Sequence, residues 1–184
     1  MNYSKGELAK NILIALAGTG VLTISLALPN FPQVLKLFKK NDADARYRIK
    51  RVILALKKKR FIKIYEKDNM DVIEITEDGK KKILTYKIDE MKIRRPKKWD
   101  GRWRLVAFDI PERHKKARVA LSYKLKQIGL YPFQKSVFLT PFDCSEEIDF
   151  IGEFFRVRKY INCLMVSGFE KKEQEEYFKI YFNL

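Results

Sequence analysis

The sequence predicts an α+β protein in two parts: a basic, mostly helical first half closed by a β-hairpin, and a second half in the order βαββαβ. Three observations predict it. Residues 99–111, WDGRWRLVAFDIP, read as a buried strand that delivers Asp109 to its C-terminal end. A helix's length later, residues 129–141, GLYPFQKSVFLTP, read as a Gly/Pro-punctuated turn into a second apolar strand. Ahead of both, residues 45–60, ARYRIKRVILALKKKR, form an amphipathic helix with eight Lys or Arg and no acid.

Charge divides the chain the same way. Residues 1–98 hold 24 Lys and Arg against 11 Asp and Glu, a net of +13, whereas residues 99–184 hold 15 against 12, a net of +3. A basic excess confined to one half points to a polyanionic partner there; nucleic acid is the commonest, anionic lipid the main rival. A Lys-rich surface kept for solubility is the plainer alternative. With 46% hydrophobic residues the chain is globular, and the sequence has neither internal repeats nor low-complexity arrays. Cys144 and Cys163 fit no metal or redox spacing, and with a single histidine, His114, neither a zinc site nor a His-dependent triad is expected. Reduced thiols in a cytoplasmic protein are expected.

Element by element, Ser4 caps a first helix running to about Ala17, with Glu7 at the capping-box spacing. Residues 11–35 carry no charge and match a bilayer or a signal peptide in length. Gly18, Gly20, Pro29 and Pro32 interrupt them, so two short core helices joined by a glycine turn are expected, the second over residues 21–28, and no membrane span. A third piece ends near Lys40. Asp42 or Asp44 caps the basic helix, which sets Ile49, Val52, Ile53 and Leu56 on one face and Tyr47, Arg48, Arg51, Ala55 and Lys58 on the other.

Residues 61–67 and 70–76 alternate about a turn at Asp68 and Asn69, giving a hairpin, and residues 76–79 open a Lys-rich helix to about Ile88. Helices, a basic helix and a two-stranded wing are the order of a winged helix-turn-helix domain over residues 1–88. Residues 89–98, DEMKIRRPKK, are a charged linker. Residues 99–184 form the second domain, with strands at 102–108, 130–133, 136–140 and 160–166, helices at 112–128 and 145–155, and a last helix over 170–182. That order is ferredoxin-like.

WDGRWRLVAFDIPE, the helix behind it, and FQKSVFLTPF resemble the central domain of the PaaX-type transcriptional repressors over residues 99–168. The first 98 residues match that family by order of elements. The resemblance implies a winged helix ahead of a ferredoxin-like domain, the latter itself similar to the small dimeric CRISPR-associated adaptation nuclease. It further implies a cytoplasmic, homodimeric repressor that binds double-stranded DNA. The family's acyl-CoA effector acts through a further C-terminal region; with the chain ending at Leu184, such an effector is not expected. By position, Asp109 falls where the nuclease family holds its metal, Ser136 and Phe138 fall in its S-x-F strand, and Phe108 stands where the nucleases more often have tyrosine.

The residues offer the following chemistry. Arg48 and Arg51 can each donate two bonds to a guanine edge, and Tyr47 can reach a phosphate or sugar, with Lys50 beside them. Lys57, Lys58 and Lys59 would lie along phosphates. The alternative, a solvated helix whose cations complement its C-terminal dipole, accounts for Lys57 to Arg60 but not for Arg46 to Arg51. On the hairpin, Lys63 and Lys67 could flank a phosphate, or serve only as the polar residues an exposed hairpin needs. Asp109 has two readings. Two copies across a twofold axis could share one Mg²⁺ and activate water in a metal-dependent endonuclease; otherwise it caps the next helix or orders the Ile110-Pro111 turn. The repressor needs no cofactor. Trp103 should pack in the core of its domain or against the first domain, and His114 should be a solvated first-turn residue.

Overall fold

The computed structural model describes residues 4–19, 21–23, 43–67 and 70–184. The chain divides into two compact units, Met1–Asp89 and Glu90–Leu184.

In the first unit, α1 spans Lys5–Thr19 and starts as expected. The Ser4 N–H donates to Glu7 Oε2 at 2.9 Å while the Glu7 N–H donates to Ser4 Oγ at 3.2 Å, a reciprocal capping box. The helix runs through Gly18 rather than turning there. The short helix expected from Val21 is not found: Val21–Thr23 is strand β1, antiparallel to the later hairpin, with Leu22 opposite Ile73. Two of its three residues are β-branched, and the hairpin edge offers them a ladder that outweighs helical spacing. The remainder of that expected helix, the third piece ending near Lys40, Asp42 and the Asp68-Asn69 turn lie outside the described residues.

Helix α2 spans Ala43–Lys58; β2, Ile62–Lys67, and β3, Met70–Ile75, form the expected hairpin. The sheet order is β1-β3-β2. Leu13, Leu16, Ile49, Ile53 and Ile73 are fully buried between α1, α2 and this sheet. Chain reversal after α2 uses Arg60 in the left-handed region, φ 59°, with Arg60 N–H bonded to Lys57 O and Phe61 N–H to Leu56 O. This is a Schellman ending with arginine where glycine is usual. Thr76 joins the hairpin to α3, Glu77–Glu90: its hydroxyl donates to Arg60 O at 2.6 Å and accepts from Gly79 N–H at 3.1 Å. Gly79 is required there, because a Cβ would collide with Phe61 O and the Ile75 side chain.

In the second unit, β4 spans Trp103–Phe108, followed by one 3₁₀ turn, Glu112–His114, and α4, Lys115–Gln127. Then come β5, Tyr131–Gln134, β6, Val137–Thr140, α5, Ser145–Phe154, β7, Ile161–Val166, and α6, Lys172–Phe182. The four strands are antiparallel in the order β5-β6-β4-β7, the ferredoxin-like order, so the chain is α+β as predicted. Alternation sends Val106 and Phe108 to one face of β4, where Phe108 stacks on Phe138 at 5.9 Å. Leu121 and Leu125 of α4 and Ile148 and Ile151 of α5 complete that core. Trp103 points to the other face and is wholly buried within its own unit, with the rings of Phe169, Phe178 and Phe182 5.4–6.1 Å away. Among the described residues, no helix is long and apolar enough to cross a membrane.

Candidate nucleic-acid interface

The arrangement of α2 follows from its own periodicity. Ile49, Val52, Ile53 and Leu56 turn inward and are at most 7% exposed, which fixes the opposite face toward solvent. At 100° per residue the pole of that outer face is occupied by Tyr47, Arg51, Leu54 and Lys58, a stripe about 16 Å long. Tyr47 is 62% and Leu54 53% exposed. Asp44, Lys50 and Ala55 form the shoulders of the stripe, Arg48 and Lys57 lie further round on either side, and all five are exposed. Lys59 and Arg60, just beyond the helix, are also exposed. The Arg51 guanidinium lies over the Tyr47 ring, 5.7 Å from its centre.

Leu54 belongs to the same stripe, and charge alone does not mark it. Its spacing does: it lies seven residues after Tyr47 and three after Arg51.

The hairpin lysines divide. Lys63 stands opposite Glu74 in the β2–β3 register, and its ammonium lies 2.9 Å from that carboxylate. The Tyr65 hydroxyl donates to the same carboxylate at 3.2 Å. The hydrogen bond with Glu74 holds the Lys63 pKa above its ordinary value, and the same bond holds the Glu74 pKa down. Lys63 is thus paired with an acid of its neighbour strand. Lys67, at the far end of β2 opposite Met70, is exposed.

Asp109 follows the last residue of β4, at the end of the first strand of its unit, and is exposed. Its backbone N–H donates to Tyr160 O at 3.1 Å. Neither the 3₁₀ turn nor α4 has a side-chain cap, so Asp109 does not cap the next helix. Glu112, the nearest acid in sequence, faces cations instead, 2.8 Å from Arg118 and 3.4 Å from Lys115. Among the described residues no three His, Cys, Asp or Glu side chains gather into a metal-binding group. Phe138 is a core residue and Ser136 sits in the turn before β6, its carbonyl accepting from Phe108 N–H at 3.0 Å. His114 is half-buried in the 3₁₀ turn, 6.0 Å ring to ring from Tyr160.

The second unit also holds a cleft of about 440 Å³. Arg94, Lys98 and Arg104 line it together with Asp100, Asp143 and Glu147, so its charges are mixed. Arg104 and Asp100 meet there in a two-pronged ion pair, which lowers the Asp100 pKa to about 2. Burial pushes the nearby Cys144 thiol up to about 12, leaving it a small apolar group rather than a nucleophile. From Tyr47 to Lys58 the outer face of α2 concentrates positive charge and hydrogen-bond donors that reach outward, while Asp44 stands exposed in the first turn ahead of them.

Comparison with known families gives one finding. The family model described as the PaaX protein central Cas2-like domain matches residues 96–178, nearly the whole of the second unit. A comparison with curated proteins found no match.

Proposed function

Because the chain is PaaX-like over residues 96–178, we propose that it is a sequence-specific regulator of transcription, a repressor that binds double-stranded DNA as a homodimer in the cytoplasm. The first unit is the reader. Its order of helix, strand, basic helix and hairpin, with the sheet order β1-β3-β2, agrees with a winged helix-turn-helix in which α2 is the recognition helix. The observation that carries this reading is the outward stripe of α2. Four inward aliphatic side chains fix its direction, and from Tyr47 to Lys58 its charged residues are all cationic, with Asp44 in the first turn ahead of them. A solvated helix of ordinary composition mixes both signs along its exposed face; this one presents arginine to any base edge that approaches. Lys57, Lys58, Lys59 and Lys67 would neutralise phosphates on either side.

The second unit would pair protomers. Strand β7 is an edge of its sheet, and Leu164 and Met165 on it are 53% and 63% exposed, which suits an interface better than water. An isologous dimer presents two copies of α2, so the operator should be an inverted repeat with half-sites about 10 bp, or a multiple of that, apart. Footprinting on the DNA upstream of the protein's own coding sequence tests this. Two protected half-sites of inverted sequence at near-physiological salt are expected; uniform, sequence-independent protection would overturn the reading.

A further inference from the structure

We propose that Leu54 reads the 5-methyl group of a thymine, one or two base steps from a guanine taken by Arg51. The inference rests on the proposed placement of α2 in the major groove and names what the groove must contain. Leu54 is at the centre of the outward stripe, 53% exposed, while the aliphatic residues Ile49, Val52, Ile53 and Leu56 of the same helix are buried. It is flanked along the stripe by Arg51 and Lys58, and Ala55 lies beside it. A branched aliphatic side chain there has no hydrogen bond to offer water or a phosphate. The thymine methyl is the one apolar group that a base pair displays in the major groove, and aliphatic side chains are its usual partners. The surrounding cations select a polyanion over an apolar protein partner.

Spacing supports the pairing of bases. Three residues separate Arg51 from Leu54, about 4.5 Å along the helix axis. Base pairs are about 3.4 Å apart along each strand. A helix lying along the groove therefore sets the guanidinium and the isobutyl group against neighbouring or next-neighbouring pairs. The Tyr47 ring beneath the Arg51 guanidinium helps hold the arginine on the outer face.

The test uses the full chain and a random-sequence duplex pool. The most enriched duplex is remade with deoxyuridine in place of each thymine in turn, which removes one methyl and nothing else. At one thymine per half-site, adjacent to or one removed from a guanine, the substitution should weaken wild-type binding about fourfold, the worth of one buried methyl group. Leu54→Ala should bind the thymine and deoxyuridine duplexes equally. Because residue 54 is exposed, that variant should retain the wild-type unfolding midpoint. If every deoxyuridine duplex binds like its parent, or if Leu54→Ala keeps the sensitivity, the methyl readout is overturned while the groove placement stands. Arg51→Ala separates the two, since loss of affinity in that variant on the same duplex reports the groove contact itself. Enrichment of no duplex at all overturns both.

Discussion

In α2 the Arg51 guanidinium stands 5.7 Å from the centre of the Tyr47 ring, one helical turn back along the chain. The ring face attracts the cation and reduces the number of rotamers it visits. Both residues face outward, so the pair orders a donor before any partner arrives. Arg51→Ala should therefore weaken binding to an enriched duplex by about 1–3 kcal/mol, roughly 5- to 150-fold. Tyr47→Ala should cost about 0.5–1 kcal/mol through the freed arginine. Anisotropy titrations of the two variants against one duplex check the order of the effects.

The Lys63–Glu74 pair gives a prediction of opposite sign. Glu74 holds one cation of the wing at 2.9 Å and cancels part of its charge. Glu74→Gln should release Lys63 to the DNA backbone, raise affinity a few-fold and steepen the log–log salt slope by about one. Lys63→Ala in the wild-type background should do little. With about six phosphates neutralised overall, the wild-type slope should be near −5.

How much of this was readable from residues alone depended on the kind of constraint. Apolar periodicity places Ile49, Val52, Ile53 and Leu56 on one face of α2, and the structure buries all four. Ser4 and Glu7 announce the start of α1 three residues apart, and Gly129 announces the end of α4, where it adopts φ 101°. Arg60 and Arg156 adopt the same left-handed turn without glycine, so nothing in their identity marks the helix ends they form. The three residues of strand β1 carry too little pattern to separate strand from helix; the partner β3, about fifty residues on, decides it. The ion pairing of Lys63 depends on a cross-strand register, which hydrophobic alternation fixes only once both strands are aligned.

Those two arginines make a stability prediction. A non-glycine residue in the left-handed region costs about 1–2 kcal/mol, part of which glycine returns as unfolded-chain entropy. Arg156, at φ 57°, follows α5 in the second unit. Arg156→Gly should stabilise that unit by about 0.5–1 kcal/mol, read as a higher denaturation midpoint. Gly79→Ala should do the reverse in the first unit, since its methyl meets the Phe61 carbonyl.

Acid should act through Asp100. Its two-pronged bond to Arg104 depresses the pKa from 3.8 to about 2. The stabilisation it gives is complete above about pH 4, the unfolded value, and is lost as pH falls through the folded value near 2. The Asp100 side chain is about half exposed, so solvent screening limits the gain to about 0.5–1 kcal/mol. Asp100→Asn should lower the unfolding midpoint at neutral pH, and the gap from wild type should close by about pH 2.

The central claim is that the outer face of α2 lies in a duplex groove. Its most direct test is a titration of one enriched duplex, at about 0.15 M salt, by the wild-type chain and by Arg48→Ala/Arg51→Ala. The account predicts saturable wild-type binding and a loss of about a hundredfold or more in the double variant, with both proteins folded at the temperature of the titration. Equal affinity of the two proteins for that duplex would contradict it.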